Sequence, residues 1–205
     1  MEELSCKLKK IKEKCKERFK PAVMEIEQRL SEKDRKRIVV AIDGKCGSGK
    51  TTLGLYLQGR FDCNLFHMDD FFLQNHQRTA ARSEEAGGNV DYERFKAEVL
   101  EPLLSGGTVR YRSFNCITRV IDREWEVPPK RLNIVEGSYS QHPYFGNPYD
   151  LCIFLDIDDL SQIENIRNRN GEEKLKLFQR EWIPKENRYF NEFKIKEKSL
   201  VIHWN

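Results

Sequence analysis

Ile38-Val39-Val40-Ala41-Ile42-Asp43-Gly44-Lys45-Cys46-Gly47-Ser48-Gly49-Lys50-Thr51-Thr52 decides how this chain folds. Its first five residues are a β-rich run of the kind buried on both faces in a parallel sheet. Residues 44–51 then match G-x-x-x-x-G-K-[ST] at every fixed position. Residues 51–60 follow as a helix. Strand, glycine loop and helix in that order make a phosphate cradle, because glycines let the backbone curl until successive N–H groups converge at the positive end of the helix. The candidate nucleotide-binding residues are Gly44, Lys45, Cys46, Gly47, Ser48, Gly49, Lys50, Thr51 and Thr52. Lys50 would reach the β- and γ-phosphates of ATP, and the Thr51 hydroxyl would hold Mg²⁺. Cys46 is either an ordinary spacer or, if the local N–H groups favour its thiolate, an oxidisable one.

Working outward, short β runs recur at 64–68, 132–135, 151–155 and 199–203, with helix-like stretches at 51–60, 91–104, 159–169 and 173–194. Strands alternating with helices predict an α/β fold of the P-loop NTPase type, a doubly wound five-stranded parallel sheet with flanking helices. Residues 107–127 read as a small β insertion. The expected organisation is an N-terminal segment, 1–37, ahead of a core domain, 38–205. In that segment Leu4, Leu8, Ile11, Cys15 and Phe19 space an amphipathic helix up to Pro21, and Val23, Ile26 and Leu30 line a second.

The 205 residues are 39% hydrophobic and 34% charged, with a net charge of +3. Residues 1–37 hold 13 Lys/Arg against 8 Asp/Glu, whereas the rest is slightly acidic. A nucleic-acid partner needs a concentrated basic face, which the body of the chain lacks. The basic segment therefore reads as an amphipathic face packed on the domain or on a partner subunit, leaving a homo-oligomer open. No apolar run has membrane-spanning length and the start lacks a secretion-signal pattern, so the expected location is the cytoplasm. The six cysteines (6, 15, 46, 63, 116 and 152) show no metal-ligand spacing and are expected as free thiols.

The chain has no Asn-Lys-x-Asp guanine motif. Leu104-Ser105-Gly106-Gly107-Thr108 mimics a transporter-ATPase signature, but a helix stop with Gly past its end accounts for it. The second strand runs into Met68-Asp69-Asp70-Phe71-Phe72, and a strand's carboxyl end faces the ligand crevice in such sheets. Asp69 is there either to accept a proton from an acceptor hydroxyl or as part of an acidic turn. Glu136, at the end of the next core strand, would organise Mg²⁺, and Gly137 permits a close turn beyond it. Ser138 to His142 follow the turn. Tyr139 is an acceptor-pocket candidate, whereas His142 reads as a loop residue. Trp182, Tyr189, Phe190 and Phe193 read as core.

Taken in order, the phosphate loop, Met68-Asp69-Asp70-Phe71-Phe72, Asn89-Val90-Asp91, Val135-Glu136-Gly137 and an arginine-bearing helix at 159–169 resemble the uridine kinase and phosphoribulokinase-like kinases. Uridine–cytidine, nicotinamide riboside and type I pantothenate kinases belong to that group. The resemblance runs from about residue 38 to the C-terminus. It implies γ-phosphoryl transfer from ATP to a hydroxyl of a small, nucleoside-like acceptor. Asp69 resembles the catalytic base and a metal-shell carboxylate, with Thr51 and Glu136 completing the metal set. Phe72, Asp91 and Tyr92 resemble acceptor contacts. Arg167 and Arg169 fall on a short helical lid at about 165–180, whose arginines clamp phosphates. Where uridine kinases carry Tyr-Asp-Phe, a histidine and an arginine for base recognition, this chain has 114–119, keeping Arg119 but lacking the histidine. The alternatives are a pantothenate- or nicotinamide riboside-type kinase and, outside the enzymes, a nucleotide-binding regulatory module whose basic N-terminus binds a partner.

Overall fold

Strand β1 (Ile38–Gly44) is buried at every residue, as its unbroken apolar run predicts for a strand covered on both faces. The computed structural model describes the backbone of residues 2–204 and the side chains of residues 15–203. Helix α1 (Glu2–Ser31) precedes β1, and α2 (Lys50–Gln58), β2 (Cys63–His67), α3 (Ala80–Glu84) and α4 (Tyr92–Phe95) follow it. A π turn at Lys96–Leu100 continues α4 into α5 (Glu101–Ser105). The antiparallel hairpin of β3 (Val109–Asn115) and β4 (Val120–Val127) is the expected insertion. Then come β5 (Leu132–Glu136), β6 (Leu151–Ile157), α6 (Asp159–Asn170), α7 (Glu172–Leu177), α8 (Ile183–Phe193) and β7 (Leu200–Trp204), with a second π turn, Phe178–Trp182, joining α7 to α8.

Five strands pair in parallel in the order β2-β5-β1-β6-β7. Beyond β1, β5 lies on one side and β6 on the other, so a crevice opens at their carboxyl ends. One face of the sheet packs Leu53 and Leu57 of α2 and Phe19, Ala22, Val23 and Ile26 of α1 against Ile38, Val40 and Ile42. The other face packs Phe95 and Leu103 against Val39 and Val135, together with Tyr189 and Phe190 of α8.

The N-terminal segment is one helix, not two broken at Pro21. An interior proline costs about 3 kcal/mol. Full burial of a Val, Ile or Phe side chain is worth about 1.5–3 kcal/mol, and Phe19, Val23 and Ile26 are all buried at or below 7% exposure. Tertiary packing outweighs the proline. Leu4, Leu8 and Ile11 lie outside the described side chains. The two π turns each lie just ahead of a proline, Pro102 and Pro184. A proline ring collides with the carbonyl four residues back, and one widened turn relieves the clash while the helix continues. The long helix ends as expected at 104–108, with Gly106 at φ 79° and the Gly106 and Gly107 N–H groups on the carbonyls of Leu103 and Pro102.

Candidate nucleotide and acceptor site

The phosphate loop spans the end of β1 and the start of α2. Gly44 has φ 137°, and a Cβ there would sit 2.2 Å from the Leu155 carbonyl oxygen, so only glycine lets β1 leave the sheet beside β6. Lys50 Nζ donates to the carbonyls of Gly44 and Lys45 at 2.6 and 3.1 Å, which stretches its side chain across the loop. The Lys45 side chain is tied instead to the Ile157 carbonyl and Asp159, at 2.9 and 3.0 Å. Only the backbone of Lys45 belongs to the cradle.

Strand register assembles the acidic side of the site. Glu136 pairs in register with Ile42 of β1 and His67 of β2. The Thr51 hydroxyl donates to Glu136 at 3.1 Å to Oε1 and 3.3 Å to Oε2, and His67 Nδ1 lies 2.6 Å from Oε1. That hydrogen bond to Glu136 raises the His67 pKa, against the opposing effect of its partial burial. Sequence reasoning missed His67; only knowledge that β2 and β5 are neighbours would have exposed it. Gly137, at φ 132°, brings the chain against Met68, whose Cβ is 2.8 Å from where its own would be. That close approach sets the end of β5 beside Asp69.

Asp69 is open to water yet lies at the foot of the crevice walls. Desolvation there, and next the charge of Glu136, raises its carboxyl pKa, while Lys50, His67 and Arg169 pull it down. The structure thus brings Lys50, Thr51, Asp69, Glu136 and Arg169 into one electrostatic neighbourhood. Among the described residues no group of three or more His, Cys, Asp or Glu side chains could hold a metal alone. A divalent ion fits here only with phosphate oxygens completing its shell, and the Thr51 hydroxyl beside the Glu136 carboxylate supplies suitable hard oxygen donors.

Further residues fall differently. Arg167 is exposed and paired with Glu172 at 2.8 Å. Phe72 bridges to Val90 and is half-buried. Asp91 caps α4 by accepting the Arg94 N–H at 3.0 Å and also accepts from Gln77 Nε2 at 2.7 Å. Tyr92 is buried between the Arg82 guanidinium and the His142 ring, and its hydroxyl donates to Glu85. Tyr139 is buried at φ 71°, with its hydroxyl accepting from Asn89. Arg119, at the exposed tip of the β3–β4 hairpin, lies near Arg78, and its neighbour Cys116 feels the charges of Asp69 and Asp70. The hairpin tip therefore lies on the side of the crevice that carries Asp69 and Asp70. His142 lies in the loop ahead of Pro143, as expected, with its ring buried in the core. It is 7% exposed, accepts the Tyr144 N–H through Nδ1, and is held neutral by burial with a pKa lowered to about 4.

A reactive thiolate at Cys46 is ruled against. Burial, and next the nearby Glu186 carboxylate, push the thiol up to about 12. Its side chain packs instead with Ile166, Leu175 and Phe178, joining the loop to the α6–α7 arm. Glu186 of α8 accepts the Cys46 N–H at 2.9 Å and the Ser138 hydroxyl. At the loop's base, fully buried Asp43 accepts from the Gly44 N–H and the Tyr189 hydroxyl, and desolvation raises it to about 6. Neither residue carries a sequence signature.

No protein-family model and no curated protein matches the sequence. Among solved structures, a protein described as a possible uridine kinase from Bacillus stearothermophilus aligns with TM-score 0.59 at 22% identity, covering 81% of this chain and 88% of that one. One described as a candidate fructose transport system kinase from Silicibacter sp. TM1040 aligns with TM-score 0.61 at 21% identity, covering 89% and 96%. The protein YGR205w aligns with TM-score 0.59 at 15% identity, covering 90% and 92%. This chain shares the fold of these three structures.

Proposed function

We propose that the chain is an ATP-dependent phosphotransferase that moves the γ-phosphoryl group to a hydroxyl of a small, nucleoside-like molecule. The observation that carries this reading is the line Thr51–Glu136–His67, formed by the first turn of α2 and the carboxyl ends of β5 and β2, with Asp69 and Lys50 beside it. A phosphate cradle alone binds nucleotide; a carboxylate of raised proton affinity across from it gives an acceptor hydroxyl somewhere to leave its proton.

The amides of residues 44–52 and the Lys50 ammonium hold the polyphosphate. The Thr51 hydroxyl, with Asp69 and Glu136 beside it, would hold Mg²⁺, which would supply neutralisation of phosphate charge. Asp69 accepts the acceptor's hydroxyl proton as that oxygen bonds to the γ-phosphorus and the bond to the β–γ bridging oxygen breaks, releasing ADP. Arg169 supplies positive charge facing Asp69, where the transferring group passes. The acceptor lies between Phe72, the hairpin tip with Arg119, and the Asn89–Tyr139 pair. Among the described residues no helix is long and apolar enough to cross a membrane, and we place the enzyme in the cytoplasm.

The test is an ADP-release screen over nucleosides, vitamins and sugars with the intact protein and with Asp69→Asn. One acceptor class should stimulate ADP release, and the variant should lose about 10²–10⁴-fold in kcat while keeping ATP affinity. Full transfer by Asp69→Asn would remove the base assignment. Strong ATP binding with no stimulating acceptor and salt-sensitive nucleic-acid binding would favour a regulatory module instead.

A further inference from the structure

Five consecutive carbonyls of the phosphate loop each meet a side-chain donor. Lys50 holds those of Gly44 and Lys45. Gln162 Nε2 holds that of Cys46 and Asn165 Nδ2 that of Gly47, both at 3.0 Å and both from α6. Arg18 Nη2 holds that of Ser48 at 2.8 Å. Arg18, like Gln162 and Asn165, lies outside the strand–loop–helix unit, and it reaches the loop from α1, which precedes that unit in the chain.

The rigid peptide gives this contact a consequence. A trans peptide is planar, with its C=O and N–H pointing to opposite sides. A donor gripping the Ser48 carbonyl from outside the loop therefore aims the Gly49 N–H inward, where phosphate oxygens dock. Arg18 Nη1 lies 3.5 Å from where a Cβ on Gly49 would stand, and Thr52 Oγ1 lies 3.9 Å from the same point. The guanidinium thus flanks the limb of the loop that enters α2. Phe19, the next residue, is fully buried and sets its ring 5.5 Å from that of Tyr56 on α2. Arg18 is consequently held in place relative to the helix whose N-terminus faces the phosphates. Burial lowers its pKa only to about 10, so it is cationic at neutral pH.

We propose that Arg18 is a positioning residue for the nucleotide. Helix α1 completes the phosphate site by fixing the Ser48–Gly49 peptide and setting a positive charge behind it. This rests on the reading that the loop binds ATP, and it assigns a task to a helix that the loop motif does not include.

Calorimetric titration of wild type, Arg18→Lys and Arg18→Met with Mg-ADP and with magnesium tripolyphosphate tests it. Losing a charge-assisted hydrogen bond should weaken both ligands by a similar factor, about tenfold or more, in the Met variant. Arg18→Lys, which keeps the charge and one donor, should recover part of that loss. In turnover, KM for ATP should rise in Arg18→Met while kcat at saturating ATP stays within about threefold. Melting of the ligand-free proteins checks the fold; if Arg18→Met melts far below wild type, the Lys variant alone decides, by an affinity intermediate or unchanged. Unchanged Mg-ADP affinity in the folded variants overturns the proposal. So does a loss confined to Mg-ADP and absent for tripolyphosphate, which would put Arg18 at the nucleoside. Wild type that binds neither ligand would instead sink the functional reading itself.

Discussion

The buried ring of His142 should cost the fold a calculable amount of stability in acid. Its ring is stacked between Tyr92 and Tyr189, with centroids at 4.3 and 6.2 Å, and it is held neutral by burial with a pKa of about 4 against an ordinary 6.5. The shift is downward for a base, so the native fold resists the proton that the unfolded chain accepts. Stability is full above about pH 6.5, falls as the unfolded chain protonates, and stops falling below about pH 4. Between pH 7.5 and 4.5 the linkage amounts to about 2.5 kcal/mol, at 1.36 kcal/mol per unit. Asp43, raised to about 6, works in the opposite sense, because the fold prefers its protonated form and gains stability as pH falls below that value. The two nearly cancel in wild type, so the measurement must be differential. His142→Asn keeps an acceptor for the Tyr144 N–H and removes the titration. Urea unfolding followed by tryptophan fluorescence should show the variant's destabilisation relative to wild type shrinking by about 2.5 kcal/mol from pH 7.5 to 4.5. An equal destabilisation at both pH values would refute the reasoning.

Two further outcomes are expected. In native protein at pH 8, a thiol-alkylating reagent read by mass spectrometry should label exposed Cys116 readily and Cys46 hardly at all, with Cys46 becoming reactive only on denaturation. Phe19→Ala should lower stability by about 3–5 kcal/mol in urea unfolding, since it empties the α1–sheet contact, and a loss below about 1 kcal/mol would mean α1 is not integral to the core.

All five core strands were legible to within two residues at each end, and so was the grouping of the candidate site's contiguous parts, the loop at 44–52 and the strand-end carboxylates Asp69 and Glu136. What escaped depends on which elements become neighbours. His67 meets Glu136 only because β5 inserts between β1 and β2, and no linear pattern states that order. Arg18 meets Ser48 only once Phe19 and Ile26 have docked α1 on the sheet, and the proline at 21 pointed to a break that packing overrode. Tyr92 is an acceptor contact only by the family resemblance, and here its ring and hydroxyl are engaged by Arg82, His142 and Glu85. Cys46 illustrates the converse. Proximity to loop amides suggests an acidic thiol, and burial beside Glu186 reverses it.

The apolar seam of Cys46, Ile166, Leu175 and Phe178 ties the loop's outer flank to the α6–α7 arm, and Gln162 and Asn165 reinforce it with polar clasps. The arm cannot swing clear without uncovering that flank and releasing two backbone oxygens to water. Its travel and the curvature of the nest are thereby one coordinate, so tightening of the loop around an anion would be felt at Phe178, on the far side of the seam.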